Sequence, residues 1–372
     1  MPFKKFIIPL LLFLLVSLVY SQYGFYGKLL RDDAMFLYGG QRLADGVPPY
    51  LGIFDVKGPI MPMVTGLGVI ISKWVGGDDV YTVRLLFLFI SSLAVVVTYL
   101  LGKSLFQSQR VGLFAAMTFL GFFDFAREAA SGPRAKTLVV LFGVLSLLLT
   151  SRKRWFWAGL FGALSALTWQ PSGIFLLVTL ILATAQPRKE RFLAISSSLA
   201  GIGLPTAIIV LYFYSQGALY ELLDGILLFH FLYRDMAQFP LSFHAWLPLR
   251  AIFVSFRMMT IPIAIGFVMI FYFYFWRRSL HVSLKDTLTK DEFSPILLSF
   301  LPLAIWSALD FQDACDFYIF LPYIALGFAR FLDIAVNGIE GHFGKPGHSW
   351  APRFAALTIC ATLIGSAVLD IR

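Results

Sequence analysis

The chain has 372 residues, of which 59% are apolar and only 14% are charged, and its mean hydropathy is +0.79. Soluble domains carry about 25% charged residues, so this composition excludes a soluble globular protein. The net charge of +9 does not indicate nucleic-acid binding, because the basic residues lie in short clusters between apolar runs, as in cytoplasmic loops. The only cysteines, Cys315 and Cys360, are too few for a disulfide framework or a structural zinc site.

The apolar runs predict helices that cross the membrane. The first run, Phe6 to Tyr20, follows Lys4 and Lys5 and precedes no small-residue cleavage site, which predicts an uncleaved signal anchor with a cytoplasmic N-terminus. Several later runs are shorter than the roughly 17 to 25 residues that a helix needs to span a bilayer. These runs cover residues 59–75, 81–102, 111–125, 136–150, 155–169, 171–185, 192–214, 251–276, 294–309, 317–335 and 354–369.

The run 59–75 decides the predicted topology. It is short, contains two prolines and two glycines, and has Lys73 near its end, so it suits a helix lying at the membrane interface. If it does not cross, 17 basic residues fall inside and 10 outside; if it crosses, the counts become 8 and 19. The positive-inside rule favours the first arrangement. We therefore predict an all-α polytopic membrane protein, one domain over residues 1–372, with about eleven transmembrane helices and a first exoplasmic loop over residues 21–80 containing interfacial helices.

That first loop is rich in acids and carries the densest polar pattern of the chain. Asp32 and Asp33 precede a segment, Ala34 to Ala44, whose pattern suits a short amphipathic helix, and Gly46 to Tyr50 suits the turn that ends it. Two carboxylates at a helix start can both be caps. Adjacent side chains point in different directions, however, so one can cap while the other faces a substrate.

This loop resembles the opening of the GT-C glycosyltransferases. The shared features are an acidic pair after the first span, a helix, a turn containing Gly, Pro and Tyr, and a D-x-K-x-P segment from Asp55 to Pro59. The sequence is similar to dolichyl-phosphate-mannose mannosyltransferases, above all the archaeal type, and to protein O-mannosyltransferases and the lipid A aminoarabinose transferase. Weaker similarities extend over most of the chain, at Val83–Leu85, Gly102–Phe106, Pro133–Leu138, Gly162–Gly173 and Phe317–Pro322.

The resemblance implies an inverting transfer of a sugar, with mannose favoured, from a polyprenyl-phosphate donor at the outer face. It assigns Asp32 or Asp33 as the general base or as ligands of a divalent metal, Mg²⁺ or Mn²⁺. It also assigns Asp55 to a second acidic position and Lys57 to the lysine of the D-x-K-P segment. The sequence departs from the pattern at Gly58, where many relatives have Pro, and at Asp316, where many have His.

The same residue types suit the reaction on chemical grounds. An acceptor hydroxyl must lose a proton, and a carboxylate near a low-dielectric boundary has its pKa raised into a useful range. The lipid-phosphate leaving group needs cations, for which Lys57 is the first candidate and Arg134 the second. The alternatives are that Lys57 pairs with Asp55 or extends to a headgroup, and that basic residues simply end helices. The latter are Arg127, Arg134 and Lys136.

Three weaker signals have plain structural alternatives. His230 and Arg234 stand four apart beside Asp235, a spacing more often found in an ordinary interfacial helix than in a site. Three acids spaced three apart suit helix capping better than the binding of a cation or of sugar hydroxyls. Three tryptophans suit interfacial aromatic belts better than sugar stacking. The acids are Asp310, Asp313 and Asp316, and the tryptophans are Trp155, Trp157 and Trp169.

These observations predict a multi-pass glycosyltransferase of the plasma membrane with an exoplasmic active site. Its partners would be membrane lipids, the polyprenyl-phosphate-linked sugar donor, and a glycan, protein or lipid acceptor. The alternative is a transporter or a flippase for lipid-linked sugars. Transporters typically contain repeated halves and ionisable residues near the midplane. Here no repeat is visible, and Arg84 and Arg257 are the main charges inside apolar runs.

Overall fold

The structure is a computed structural model that describes residues 4–23, 25, 28–53, 55–129, 131–232, 241–279, 293–343 and 351–369. Within these ranges all regular elements are helical. The α-helices are α1 (Lys4–Tyr20), α2 (Arg31–Ala44), α3 (Ile60–Val75), α4 (Asp79–Phe106), α5 (Gln109–Leu120), α6 (Ala135–Ser151), α7 (Trp155–Ala166), α8 (Ile174–Ala185), α9 (Arg188–Ser215), α10 (Leu219–Leu223), α11 (Phe229–Leu232), α12 (Leu241–Ser255), α13 (Thr260–Ser279), α14 (Ser294–Leu309), α15 (Leu321–Phe343) and α16 (Ala351–Leu369). Phe125–Ala129 and Asp224–Leu228 are π-helical, and Gln170–Gly173, Arg257–Met259 and Ala314–Phe320 are 3₁₀-helical.

Two apolar runs differ from the predicted continuous helices. The run 251–276 is broken, since α12 ends at Ser255, a 3₁₀ turn covers Arg257–Met259, and α13 begins at Thr260. Arg257 has a positive φ of 40° at this break, and its guanidinium lies 5.5 Å from the ring centre of Phe123. The run 111–125 ends early, at Leu120, and passes into the π-helical turn Phe125–Ala129. Single turns of π-helix occur frequently at functional sites.

Three described helical stretches are long and apolar enough to cross a membrane by themselves: Asp79–Phe106, Arg188–Ser215 and Ala314–Gly338. The other apolar helical stretches, counted over residues whose side chains are described, have 10 to 17 residues. A bilayer core needs about 20 residues of helix, so length alone does not assign these as spans. The described residues are therefore all-helical, and their apolar helices indicate a membrane protein; the count of about eleven spans is not confirmed.

Helices α2 and α3 form a close pair within the segment predicted as the first exoplasmic loop. A Cβ atom on Gly40 would lie 2.7 Å from Thr65 Cγ2, and one on Gly66 would lie 2.8 Å from Leu43 Cδ2. The two backbones approach this closely because neither glycine carries a side chain. The predicted helix over 34–44 is confirmed, although it starts at Arg31, and Gly46 has a φ of 86° in the turn that follows.

Helix α4 joins this pair to the membrane-spanning part of the chain. Asp79 at its start accepts a hydrogen bond of 2.9 Å from the Gln41 amide of α2. Further along α4, the buried Arg84 donates to the Phe25 carbonyl at 2.5 Å, so this charge within an apolar run is hydrogen-bonded. Burying an arginine without such a partner would be costly. The α2–α3 pair is thus fixed on the end of a long spanning helix.

Candidate active site

The segment that carries Lys57 is docked on the turn after α7. The Gly58 amide donates to the Thr168 carbonyl at 3.2 Å, and the Gln170 side-chain amide donates to the Val56 carbonyl at 2.7 Å. A Cβ atom on Gly58 would lie only 1.9 Å from the Leu167 carbonyl oxygen. Proline, which many members of the resembled family have at this position, could not donate this hydrogen bond. Gly58 therefore lets the loop dock by close backbone contact.

The docked loop brings the Lys57 ammonium group to Asp32. Lys57 Nζ lies 3.6 Å from Asp32 Oδ2, and these side chains are 29% and 47% exposed, respectively. The same ammonium lies 4.7 Å from the ring centre of Phe36. The alternative pairing with Asp55 is not seen, because the Asp55 carboxylate accepts the Lys57 backbone amide at 3.0 Å. Burial raises the pKa of Asp55 above its usual range.

Asp33 has a different environment from its neighbour in the sequence. Its Oδ1 lies 2.7 Å from Arg134 Nε, and both side chains are less than a tenth exposed. Its Oδ2 accepts the Leu30 amide at 3.3 Å, so Asp33 has the capping role expected of one member of the acidic pair. Burial raises the pKa of Asp33 to about 6, and the positive charge of Arg134 opposes this rise.

Arg134 is engaged on several sides. Besides Asp33, its guanidinium lies 3.5 Å from Glu128 Oε2 and donates to the Cys315 Sγ at 3.3 Å. The Gly132 backbone closes the pocket around the pair, since a Cβ atom there would lie 3.1 Å from Asp33 Oδ2. Arg134 is therefore more than the end of a helix, and its described contacts link α2, the π-helical turn and the 3₁₀ turn before α15.

The π-helical turn places a second acidic group beside this pair. Arg127 Nε donates to Glu128 Oε1 at 2.7 Å, and its Nη2 lies 3.1 Å from Asp124 Oδ1. The buried Tyr318 hydroxyl lies 3.0 Å from Asp124 Oδ2. Burial raises the pKa of Asp124 to about 6, against the opposing charge of Arg127. The acid–base contacts thus continue from Asp33 through Arg134, Glu128 and Arg127 to Asp124.

Lys136, the second residue of α6, has a separate set of contacts. Its Nζ lies 2.9 Å from Asp316 Oδ1 and 3.0 Å from the ring centre of Trp169. The expected capping by the outer acids is confirmed for two of them, because Asp313 accepts the Cys315 amide at 2.8 Å and Asp316 accepts the Gln312 amide at 2.9 Å. Asp316, where relatives have His, thus combines a capping role with an ion pair.

The five residues predicted for the site lie on neighbouring segments, and their chemical roles stay predictions. Sequence reasoning did not single out Glu128, Asp124 or Tyr318, and it considered Lys136 only as a helix end. The available signal in the sequence was the group of charged residues Asp124, Arg127 and Glu128 at the end of an apolar run. Of the weaker candidates, Arg234, Asp235 and the side chain of His230 fall outside the described residues. The predicted residues are Asp32, Asp33, Asp55, Lys57 and Arg134.

The acidic pair does not fit a metal by itself. Mg²⁺ requires about six oxygen ligands in octahedral geometry. Among the residues that the structure describes, three or more His, Cys, Asp or Glu side chains do not come together as such a group. The Asp32 and Asp33 carboxylates face different cations, Lys57 and Arg134. The Mg²⁺ or Mn²⁺ implied by the resemblance stays a prediction.

The fold is similar to those of two proteins of known structure. It is similar to the crystal structure of ArnT from Cupriavidus metallidurans bound to undecaprenyl phosphate, with a TM-score of 0.60 and 14% identity over 96% of this chain and 71% of that one. It is also similar to the oligosaccharyltransferase from Archaeoglobus fulgidus in complex with Zn and sulfate, with a TM-score of 0.53 and 14% identity over 96% of this chain and 53% of that one.

Part of the sequence also matches a family model. Residues 49–212, which include the docked loop, the π-helical turn and Lys136, match the model of the DolP-mannose mannosyltransferase family. No curated protein matches the chain in sequence. Both comparisons confirm the resemblance expected from the first loop: the chain is similar to membrane glycosyltransferases of the GT-C superfamily.

Proposed function

We propose that the protein transfers a sugar, mannose, from a polyprenyl-phosphate donor of the dolichyl type to a glycan, protein or lipid acceptor on the exoplasmic face of the plasma membrane. The description of the matching family supports a dolichyl-phosphate-mannose donor. The undecaprenyl phosphate in the ArnT structure supports a polyprenyl-phosphate carrier more generally. The membrane face and the acceptor come from the predicted topology and the resemblance.

The observation that carries the proposal is the half-exposed Asp32 carboxylate beside Lys57. In the proposed reaction the acceptor oxygen attacks the anomeric carbon, and the bond from that carbon to the phosphate oxygen breaks. The leaving phosphate keeps the bonding electron pair, and the acceptor proton passes to Asp32. Lys57 stabilises the charge that develops on the phosphate. The configuration at the anomeric carbon inverts because there is one displacement.

The buried Asp33–Arg134 pair positions the reactive residues and does not react itself. Asp33 and Arg134 are both almost fully buried and paired with each other, so neither offers a free group to the acceptor. Asp33 fixes the start of α2, and Arg134 fixes Asp33 to the base of α6 and to Glu128. Because Asp32 is the preceding residue, this arrangement holds its carboxylate in place. We therefore assign Arg134 a positioning role instead of the phosphate-binding role expected from sequence.

Transfer itself tests the proposal. Purified protein in lipid nanodiscs is mixed with dolichyl-phosphate-[³H]mannose and with an extract of membranes from a strain lacking the gene, which supplies unmodified acceptors. We expect label to appear in a new glycosidic product, and Lys57→Met to reduce its rate by about 100-fold, a typical loss when a group stabilising transition-state charge is removed. Lys73→Met, at the exposed end of α3, is the matched control. Absence of product with all extracts would refute the proposal.

A separate assay excludes the rival function. Protein-containing vesicles are loaded with fluorescent polyprenyl-phosphate sugar in the inner leaflet. A glycosyltransferase leaves the lipid in its leaflet in the absence of acceptor. Movement to the outer leaflet without a new glycosidic bond would favour the flippase.

Orientation is tested by labelling single cysteines in intact cells with a membrane-impermeant maleimide. Leu51→Cys lies in the loop beside the site, and Lys153→Cys lies at the far end of α6; both positions are exposed. The parent protein, which contains Cys315 and Cys360, gives the background. We expect Leu51→Cys to react in intact cells and Lys153→Cys to react only after lysis. The reverse pattern would place the site on the cytoplasmic face.

A further inference from the structure

The site contains a basic residue, Lys136, that the reaction described above does not use. Its side chain is about 10% exposed, and its described partners are the Asp316 carboxylate and the Trp169 ring. An ammonium group offers three donors, so one carboxylate does not exhaust it. A lysine buried to this degree is costly unless the site gains from its charge. Arg134, by contrast, is divided among Asp33, Glu128 and Cys315.

Lys136 lies on the same side of the site as the loop that carries Lys57, because both contact the turn after α7. Trp169 covers the Lys136 ammonium, and the neighbouring Thr168 and Gln170 hold the backbone on either side of Lys57. The loop that carries Lys57 and the side chain of Lys136 thus contact the same three-residue turn, Thr168–Gln170. An anion bound at this turn could accept a charge-assisted hydrogen bond from each ammonium group.

We propose that Lys136 is a second phosphate-binding residue for the lipid-phosphate donor, acting with Lys57 in the place that sequence reasoning gave to Arg134. Trp169 holds the ammonium in position, whereas Asp316 competes with the phosphate for it. The phosphate is thus bound by Lys57 from the docked loop and by Lys136 from the start of α6. This inference rests on the proposed function, since it names a further contact to the same donor.

Binding of undecaprenyl phosphate, which has no sugar and needs no acceptor, is the direct test. Its dissociation constant is measured by microscale thermophoresis on protein in nanodiscs. We expect Lys136→Met to weaken binding by about tenfold or more, in line with the loss of one hydrogen bond between charged groups. Lys136→Arg, which keeps the charge, should recover most of the affinity. Lys73→Met, an equivalent removal of an exposed ammonium, should bind like wild type.

Asp316→Asn separates a phosphate contact from a merely structural ion pair. If Lys136 serves the phosphate, removal of the competing carboxylate leaves binding unchanged or makes it tighter, while Lys136→Met weakens it. If the ion pair only stabilises the fold, both variants weaken binding alike, and the proposal is wrong. The double variant Lys136→Met/Asp316→Asn leaves no unpaired charge at this position, which removes the main cause of misfolding. It should bind as weakly as Lys136→Met.

The two proposals can fail separately. If wild type binds undecaprenyl phosphate and Lys136→Met binds it equally well, the assignment of Lys136 is wrong and the donor class stands. If wild type binds neither undecaprenyl phosphate nor dolichyl phosphate, the donor class is wrong and the Lys136 assignment is overturned with it.

Discussion

Asp32 and Asp33 are neighbours in sequence, yet they belong to two different regions of the site. Asp33 is buried against Arg134 and closes the start of α2, whereas Asp32 is about half exposed and faces Lys57. A buried ion pair is strongly coupled to the fold, because breaking it leaves a charge without a partner in a poorly solvated place. An exposed pair contributes little stability and leaves its carboxylate available. Asp33 and Arg134 thus form a positioning pair, and Asp32 and Lys57 form a reactive pair.

Removing Arg134 should give the largest effect on the fold. Arg134→Met leaves the Asp33 carboxylate buried beside Glu128 without its main cation, and we expect a loss of about 3 to 5 kcal/mol of unfolding free energy. Thermal unfolding in detergent, followed by circular dichroism, measures this loss. Lys57→Met breaks the more exposed pair and is the matched comparison. Equal stability of both variants would remove the distinction between the pairs.

Adding one methyl group to Gly58 should disturb the Asp32–Lys57 pair and leave the buried Asp33–Arg134 pair in place. An alanine at this position would place a Cβ atom against the Leu167 carbonyl, so the docked loop must move away. We expect Gly58→Ala to cost about 1 to 3 kcal/mol of stability, as overpacking usually does, and to lower transfer by misplacing Lys57. Gly203→Ala, in open space on α9, is the control. Full activity in Gly58→Ala would show that the docking does not position Lys57.

A smaller effect is expected in the pH dependence of the unfolding free energy, to which the buried Asp33 contributes. Burial raises the pKa of Asp33 to about 6, so the folded chain holds this proton more tightly than the unfolded chain does. Stability linked to Asp33 is therefore present below the unfolded pKa, about 4, and is lost as pH rises towards 6. Unfolding of wild type and Asp33→Asn is compared from pH 4 to pH 7.

The difference in unfolding free energy, wild type minus Asp33→Asn, should fall across this interval. Asp45→Asn, which alters an exposed carboxylate whose pKa is lowered by Lys73, should not reproduce this fall. A difference that stays constant or rises with pH would contradict the assignment of Asp33 as a buried acid with a raised pKa.

The helices and the first-loop pattern could be predicted because both are local. Apolar periodicity and length predict where α4 and α9 form, and the acids, glycine and proline of the first loop predict α2 and its turn. The division of labour between Asp32 and Asp33 could not be predicted, since it depends on Arg134, about 100 positions away. Equally, Arg134 meets Cys315 across 181 positions, and such contacts leave no periodic signal. The break at Arg257 was missed because an apolar run masks a single change of backbone direction.

The most direct test of the account is single-turnover transfer of mannose from dolichyl-phosphate-[³H]mannose by Asp32→Asn and Asp33→Asn, side by side in nanodiscs. Each rate is corrected for the folded fraction of the variant. We expect Asp32→Asn to lose about 100-fold or more, the usual contribution of a general base, while keeping wild-type stability. Asp33→Asn should lose stability and retain within about tenfold of the wild-type rate per folded molecule, since the group it alters does not take the proton. Wild-type transfer by Asp32→Asn, with transfer abolished in folded Asp33→Asn, would contradict the account.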